Sequence, residues 1–108
     1  MLYQLWTFLP SPEPSPQLLS RAAVLSSLTS HFSPLWEEVY DVDFADQAWS
    51  QPGNPRLPQG FWSQLTSSWT RDCALRRDYA RRMALVEIDV LVAQALGLTL
   101  DELLLIYR

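Results

Sequence analysis

Two carboxylates, Glu87 and Asp89, stand inside the nearly apolar run from Met83 to Ala95. On a helix they lie about 160° apart, on opposite flanks. A catalytic carboxylate pair must face one substrate, so these two do not act together. Each is expected instead to be partly buried and held by arginine or backbone donors, because an unpaired buried charge is costly. Helical spacing puts Asp89 on one edge with Arg71, Asp78 and Arg82, and Glu87 on the other with Arg76 and Gln94. The expected buried polar network is therefore Glu87, Asp89, Arg76 and Arg82. Asp72 precedes Arg76, and Asp78 precedes Arg82, by the four residues that stabilise a helix. Arg77 and Arg81 have no such acid, so their planar forks are the candidates for contact with DNA phosphate or a neighbouring domain.

The other reactive residues assign no site. A calcium loop counted from Asp41 needs glycine at its sixth position and glutamate at its twelfth, but Asp46 and Pro52 stand there. His31 is the single histidine and sits near a predicted helix end, where a cation is favourable. Cys73 is the single cysteine, which excludes an internal disulfide and a cysteine-based zinc cage and fits a reduced, cytoplasmic setting. No catalytic residue, cofactor or metal is expected. There is no glycine-rich cofactor loop. The chain has no lysine, which removes the usual acid–acid–lysine nuclease set.

The net charge of −4 over 108 residues argues against a free-standing nucleic-acid binder, since phosphate neutralisation demands a basic excess. No run reaches the roughly 18 apolar residues needed to cross a bilayer, so no membrane partner is expected. The start, MLYQLWTFLPSPEPSP, lacks the basic region of a secretory signal. Five tryptophans, Trp6, Trp36, Trp49, Trp62 and Trp69, supply large surfaces for a core or an interface.

The elements that position these residues are helical. Residues 2–9 read as an extended arm that pairs with missing sequence or lies against the helices, and PSPEPSP, residues 10–16, as a stiff linker. Ser15-Pro16 opens a helix of about four turns with Leu18, Ala22, Leu25, Leu28 and Phe32 as its apolar face. Ser33-Pro34 opens a second, bearing Leu35, Trp36, Val39 and Tyr40, which breaks near Asp41. A short turn is expected within 44–49, a loop at 50–60 and another turn within 61–66. The longest helix is expected from Thr70 to Leu96. Its second half has Ala84, Ile88, Leu91, Val92 and Ala95 on one face and Met83, Val86, Val90 and Ala93 on the other, so it should be sandwiched at the centre. Gly97 stops it. Thr99 and Glu102 form a capping box for a last helix.

The segment RDCALRRDYARRMALVEIDVLVAQALGLTLDELLLIYR, residues 71–108, resembles the C-terminal region of bacterial type IIG-like restriction-modification adenine methylases and related phage-defence methylases. LLSRAAVLSSLTSHFSPLWEEVYD, residues 18–41, and PRLP, residues 55–58, are similar to that family as well. The family's catalytic domain, its Asn/Asp-Pro-Pro-aromatic motif and the Gln-Phe-Pro-rich continuation past the final arginine are not in this sequence.

The expected fold is all-α: a small irregular bundle of four or five helices around one long central helix, with arm and linker at 1–16 and the helical module at 17–108. The resemblance implies a non-catalytic C-terminal module or fragment of such a methylase, supporting DNA recognition or interdomain docking, with DNA met only in the context of the parent enzyme. The alternative is a small free-standing helical interaction module that self-associates. In both, the expected interface is the terminal face of Leu100, Leu103, Leu104 and Tyr107. Its occupant is the rest of a methylase polypeptide or a second copy.

Overall fold

The structure, a computed structural model, describes residues 15–106. The expected arm and linker and the expected interface residue Tyr107 lie outside the described residues. The fold is an all-α bundle, with four helices among the described residues: α1 (Ser15–Ser26), α2 (Ser33–Val39), α3 (Asp78–Ala95) and α4 (Leu100–Ile106). Short 3-10 turns at Ser30–Phe32, Val42–Phe44, Trp62–Gln64 and Arg71–Cys73 punctuate the connections. None of the described helices is long and apolar enough to cross a membrane.

Helix α1 stops at Ser26, short of the expected four turns. The run Ser26-Ser27-Leu28-Thr29-Ser30 offers hydroxyls that compete for backbone groups, and Thr29 is already extended, with φ −133° and ψ 163°. Its buried face also differs from the expected one. Gln17, Ser20, Arg21 and Val24 point inward beside Leu25, the one buried residue of the expected face, whereas Ala22 and Phe32 are exposed. Helix α2 starts where Ser33-Pro34 places it, and Trp36 is its buried residue.

Helix α3 begins at Asp78 rather than Thr70. Cys73, Ala74 and Leu75 are all buried. Three consecutive inward residues do not fit one face of a helix, so the chain is extended there, with Ala74 at φ −102° and ψ 144°. The Leu75 N–H donates to the Val24 carbonyl of α1 at 2.9 Å. The Asp72–Arg76 spacing therefore does not fall on a helix.

The long connection between α2 and α3 is held by aromatic donors. Trp36 Nε1 donates to the Thr66 carbonyl at 2.9 Å, the Tyr40 hydroxyl to Leu65 at 3.1 Å, and Trp69 Nε1 to Ser27 at 2.9 Å. Two aromatic clusters fill the core beneath it: Trp36 with Tyr40 and Phe44, and Trp49 with Phe61 and Trp62.

Helix α3 ends in a Schellman motif. The Leu98 N–H reaches the Ala93 carbonyl at 2.9 Å and the Gly97 N–H reaches Gln94 at 3.1 Å. Gly97 takes φ +77°, the left-handed region that favours glycine. A β-carbon there meets no atom within 4 Å. Gly97→Ala should therefore lose only the backbone term, about 1–2 kcal/mol, measured as a shift in the urea midpoint, with Gly97→Asn losing less. Beyond it the capping box forms as expected: the Thr99 N–H donates to Glu102 Oε1 at 3.0 Å and the Glu102 N–H to Thr99 Oγ1 at 3.2 Å.

Candidate functional site

The buried polar centre is built on Glu87 of α3 and Arg21 of α1, both fully buried. Arg21 Nε donates to Glu87 Oε1 at 2.7 Å. The other guanidinium nitrogens donate to the Gln17 carbonyl at 3.2 Å, Gln47 Oε1 at 3.0 Å and the Ala48 carbonyl at 2.6 Å. Its plane lies over the Trp62 ring, 4.9 Å from the centroid. Glu87 Oε2 accepts from the N–H and the hydroxyl of Ser50, at 2.7 and 2.5 Å. Burial pulls the Arg21 guanidinium below its ordinary pKa, and the charge and hydrogen bond of Glu87 oppose that shift. Both carboxylate oxygens are engaged, so the pair ties α1, the Gln47–Ser50 turn and α3 together instead of presenting a reactive group.

Sequence spacing put Glu87 in a buried network but paired it with Arg76. The structure brings Glu87 to Arg21 and leaves Asp89, Arg76 and Arg82 exposed. Arg21 is the residue that sequence reading missed. Its signal lies in the row Gln17, Ser20, Arg21 and Val24, a helical stripe of small and polar residues flanking one long cation.

The remaining arginines divide by role. Arg76 Nη2 donates to the Leu28 carbonyl at 2.7 Å and its Nε to Arg71 at 3.0 Å. Arg81 Nη1 donates to Leu25 at 3.1 Å and Leu75 at 2.8 Å. Both therefore satisfy carbonyls at the C-terminal end of α1, where positive charge is favourable. Arg77 is exposed at the N-cap of α3 and makes no side-chain capping bond. Of the two arginines expected to contact DNA or a neighbouring domain, Arg81 is thus committed to the protein's own backbone, while Arg77 lines an open cleft of about 510 Å³ with Phe61, Gln64, Asp72, Leu75 and Arg76.

Asp41 caps the 3-10 turn that follows it, accepting from the Asp43 N–H at 2.9 Å. Among the described residues no group of three His, Cys, Asp or Glu side chains is placed to hold a metal. His31 is exposed, its ring edge-on to Phe32 at 5.7 Å. Cys73 is buried, and burial pushes its thiol above the ordinary range, away from the reactive thiolate.

The expected interface on α4 is corrected. Leu103 belongs to the core at 4% exposure, and Leu100 and Leu104 are half-buried. The exposed apolar surface lies on α3 instead. Leu85, Val92 and Leu96 are 51%, 40% and 72% exposed, with Leu105 of α4 at 63%. Leu85, Ile88, Val92 and Leu96 recur every three or four residues, which makes one stripe. The opposite face carries Ala80, Met83, Ala84, Glu87, Val90, Leu91 and Ala93 and is buried. Both faces expected to be covered contribute buried residues, Ala84 and Leu91 on one and Met83, Val90 and Ala93 on the other, while Leu85, Val92 and Leu96 stay exposed. No family model matches the chain, and no match was found among curated proteins or solved structures.

Proposed function

We propose that this chain is a non-catalytic helical module of a restriction-modification or phage-defence DNA methylase, docking onto the rest of that enzyme through the outer face of α3 and α4. The observation that carries this reading is the exposed stripe of Leu85, Val92 and Leu96 on α3, with Leu105 exposed on α4. It lies within the segment whose sequence resembles that family. A contiguous apolar stripe on a small protein marks an interaction surface. Arg77, exposed at the start of α3 and lining an open cleft, supplies a polar contact to the rest of the enzyme. DNA is met only in the assembled enzyme, because the module carries a net charge of −4. The setting is the reduced cytoplasm.

The test is co-expression of the full chain with a family methylase body that lacks its own C-terminal region, followed by light scattering. A one-to-one complex is expected. Leu96→Arg with Leu105→Arg should abolish it without unfolding the chain, since both side chains are exposed. A chain that stays a folded monomer beside the body would overturn the reading. A stripe-dependent homodimer would favour the second reading, a free-standing module that pairs with its own copy through the same helix.

A further inference from the structure

We propose that the cleft lined by Arg77 is a docking groove for an extended polypeptide segment of a partner protein, which pairs with the main chain of Ala74 and Arg76 and sets a carboxylate against Arg77. The cleft holds about 510 Å³, the size of a ligand site. Phe61, Ala74, Leu75 and Ala80 line it and are all buried, so its depth is apolar.

The main chain at residues 74–77 selects an extended partner. Ala74 has φ −102° and ψ 144°, and Arg77 has φ −87° and ψ 138°, so the backbone enters and leaves this stretch extended. Leu75 spends both its main-chain groups inside the protein. Its N–H donates to the Val24 carbonyl at 2.9 Å, and its carbonyl accepts from Arg81 Nη1 at 2.8 Å. In extended chain the residues on either side present their groups the opposite way. Those residues, Ala74 and Arg76, both line the cleft. Their main-chain N–H and C=O groups have no hydrogen-bond partner among the described residues. Ala74 is 5% exposed, and buried main-chain groups are rarely left unpaired. Free N–H and C=O groups on alternate residues are the template to which another extended chain adds.

The side chains set the charge of the partner. Arg76 is already bonded to the Leu28 and Arg71 carbonyls. The Arg77 side chain makes no hydrogen bond or ion pair among the described residues, so its fork is open to a carboxylate. Asp72 lines the same cleft and, with the net charge of −4, opposes a polyphosphate. A peptide bearing one acid fits both charges; a nucleic acid does not. The groove needs no methylase to be tested, so it stands or falls separately from that reading.

The test is a displayed library of random heptapeptides selected on the full chain, with the best binder then synthesised. Enriched peptides should carry one Asp or Glu among alternating apolar residues. Arg77→Glu should weaken the binder by about tenfold or more. Arg82→Glu, exposed on the same helix and outside the cleft, should leave it unchanged. N-methylation of the peptide should abolish binding at alternate residues and spare their neighbours. Hydrogen exchange at the Arg76 N–H should slow severalfold in the complex, a change that side-chain contact alone would not produce. A selection that enriches no peptide, a binder indifferent to Arg77→Glu, or unchanged exchange at Arg76 would overturn the proposal. So would the same protection from inorganic phosphate or a single-stranded oligonucleotide, which would make the cleft an anion site.

Discussion

Glu87→Ala should cost about 3–5 kcal/mol, the penalty for stranding one member of a buried ion pair. Arg21 is fully buried, and its Nε donates to Glu87 alone. Without the carboxylate the guanidinium keeps its bonds to Gln17, Gln47 and Ala48 but loses its buried ion pair with Glu87. Ser50 loses the acceptor of both its N–H and its hydroxyl at the same time. A domain of this size is stable by roughly 5–15 kcal/mol, so the substitution removes a large fraction of that margin. Arg21→Met should cost a similar amount, since it leaves the carboxylate buried beside Ser50. The double variant Arg21→Met with Glu87→Leu should be far less damaged than the sum, because well-packed apolar residues replace a buried pair at little net loss. Urea unfolding followed by circular dichroism reads all three. Losses in the single variants that simply add in the double variant would sink the account.

That pair also shows which parts of the fold were legible in sequence. Helix boundaries set by local chemistry were legible: Ser33-Pro34, Gly97 and the Thr99–Glu102 box act within a few residues of themselves, and the structure places them as expected. The start of α3 was not. Asp72, Arg76, Asp78 and Arg82 have helical spacing throughout, but the Leu75 N–H bonds to Val24 of α1, some fifty residues earlier in sequence. A tertiary bond that buries Cys73, Ala74 and Leu75 in a row outweighs the modest gain of an i,i+4 pair.

The same limit applies to the site. Spacing along one helix offered Glu87 only Arg76, because Arg21 comes from another element, 66 residues away. An apolar face drawn through Leu18, Ala22, Leu25, Leu28 and Phe32 leaves Arg21 out, since a lone arginine reads as solvated until a carboxylate is found to meet it. The stripe on α3 was half legible. A helical projection shows apolar residues on both faces, but which face the rest of the chain covers is a question of three-dimensional packing. Glu87 decides it: the face that carries the carboxylate is the one α1 must cover.

The second large effect is expected at Trp36, which is fully buried and packs against Tyr40 and Phe44 at centroid distances of 5.9 Å each. Trp36→Ala should cost about 3–5 kcal/mol through the cavity it leaves. A milder comparison separates packing from hydrogen bonding. Trp36 Nε1 donates to the Thr66 carbonyl at 2.9 Å, whereas Trp49 Nε1 is buried with no acceptor among the described residues. Trp36→Phe and Trp49→Phe remove the same atoms from two buried sites. The first also strands the Thr66 carbonyl, and the second relieves an unsatisfied donor. Trp36→Phe should therefore be the more destabilising by about 1–3 kcal/mol, read as a difference in urea midpoints at equal slope. Equal losses at the two sites would mean that the Trp36–Thr66 bond adds nothing to packing. The attachment of the 62–66 turn to α2 would then rest on apolar contact and on the Tyr40–Leu65 bond alone.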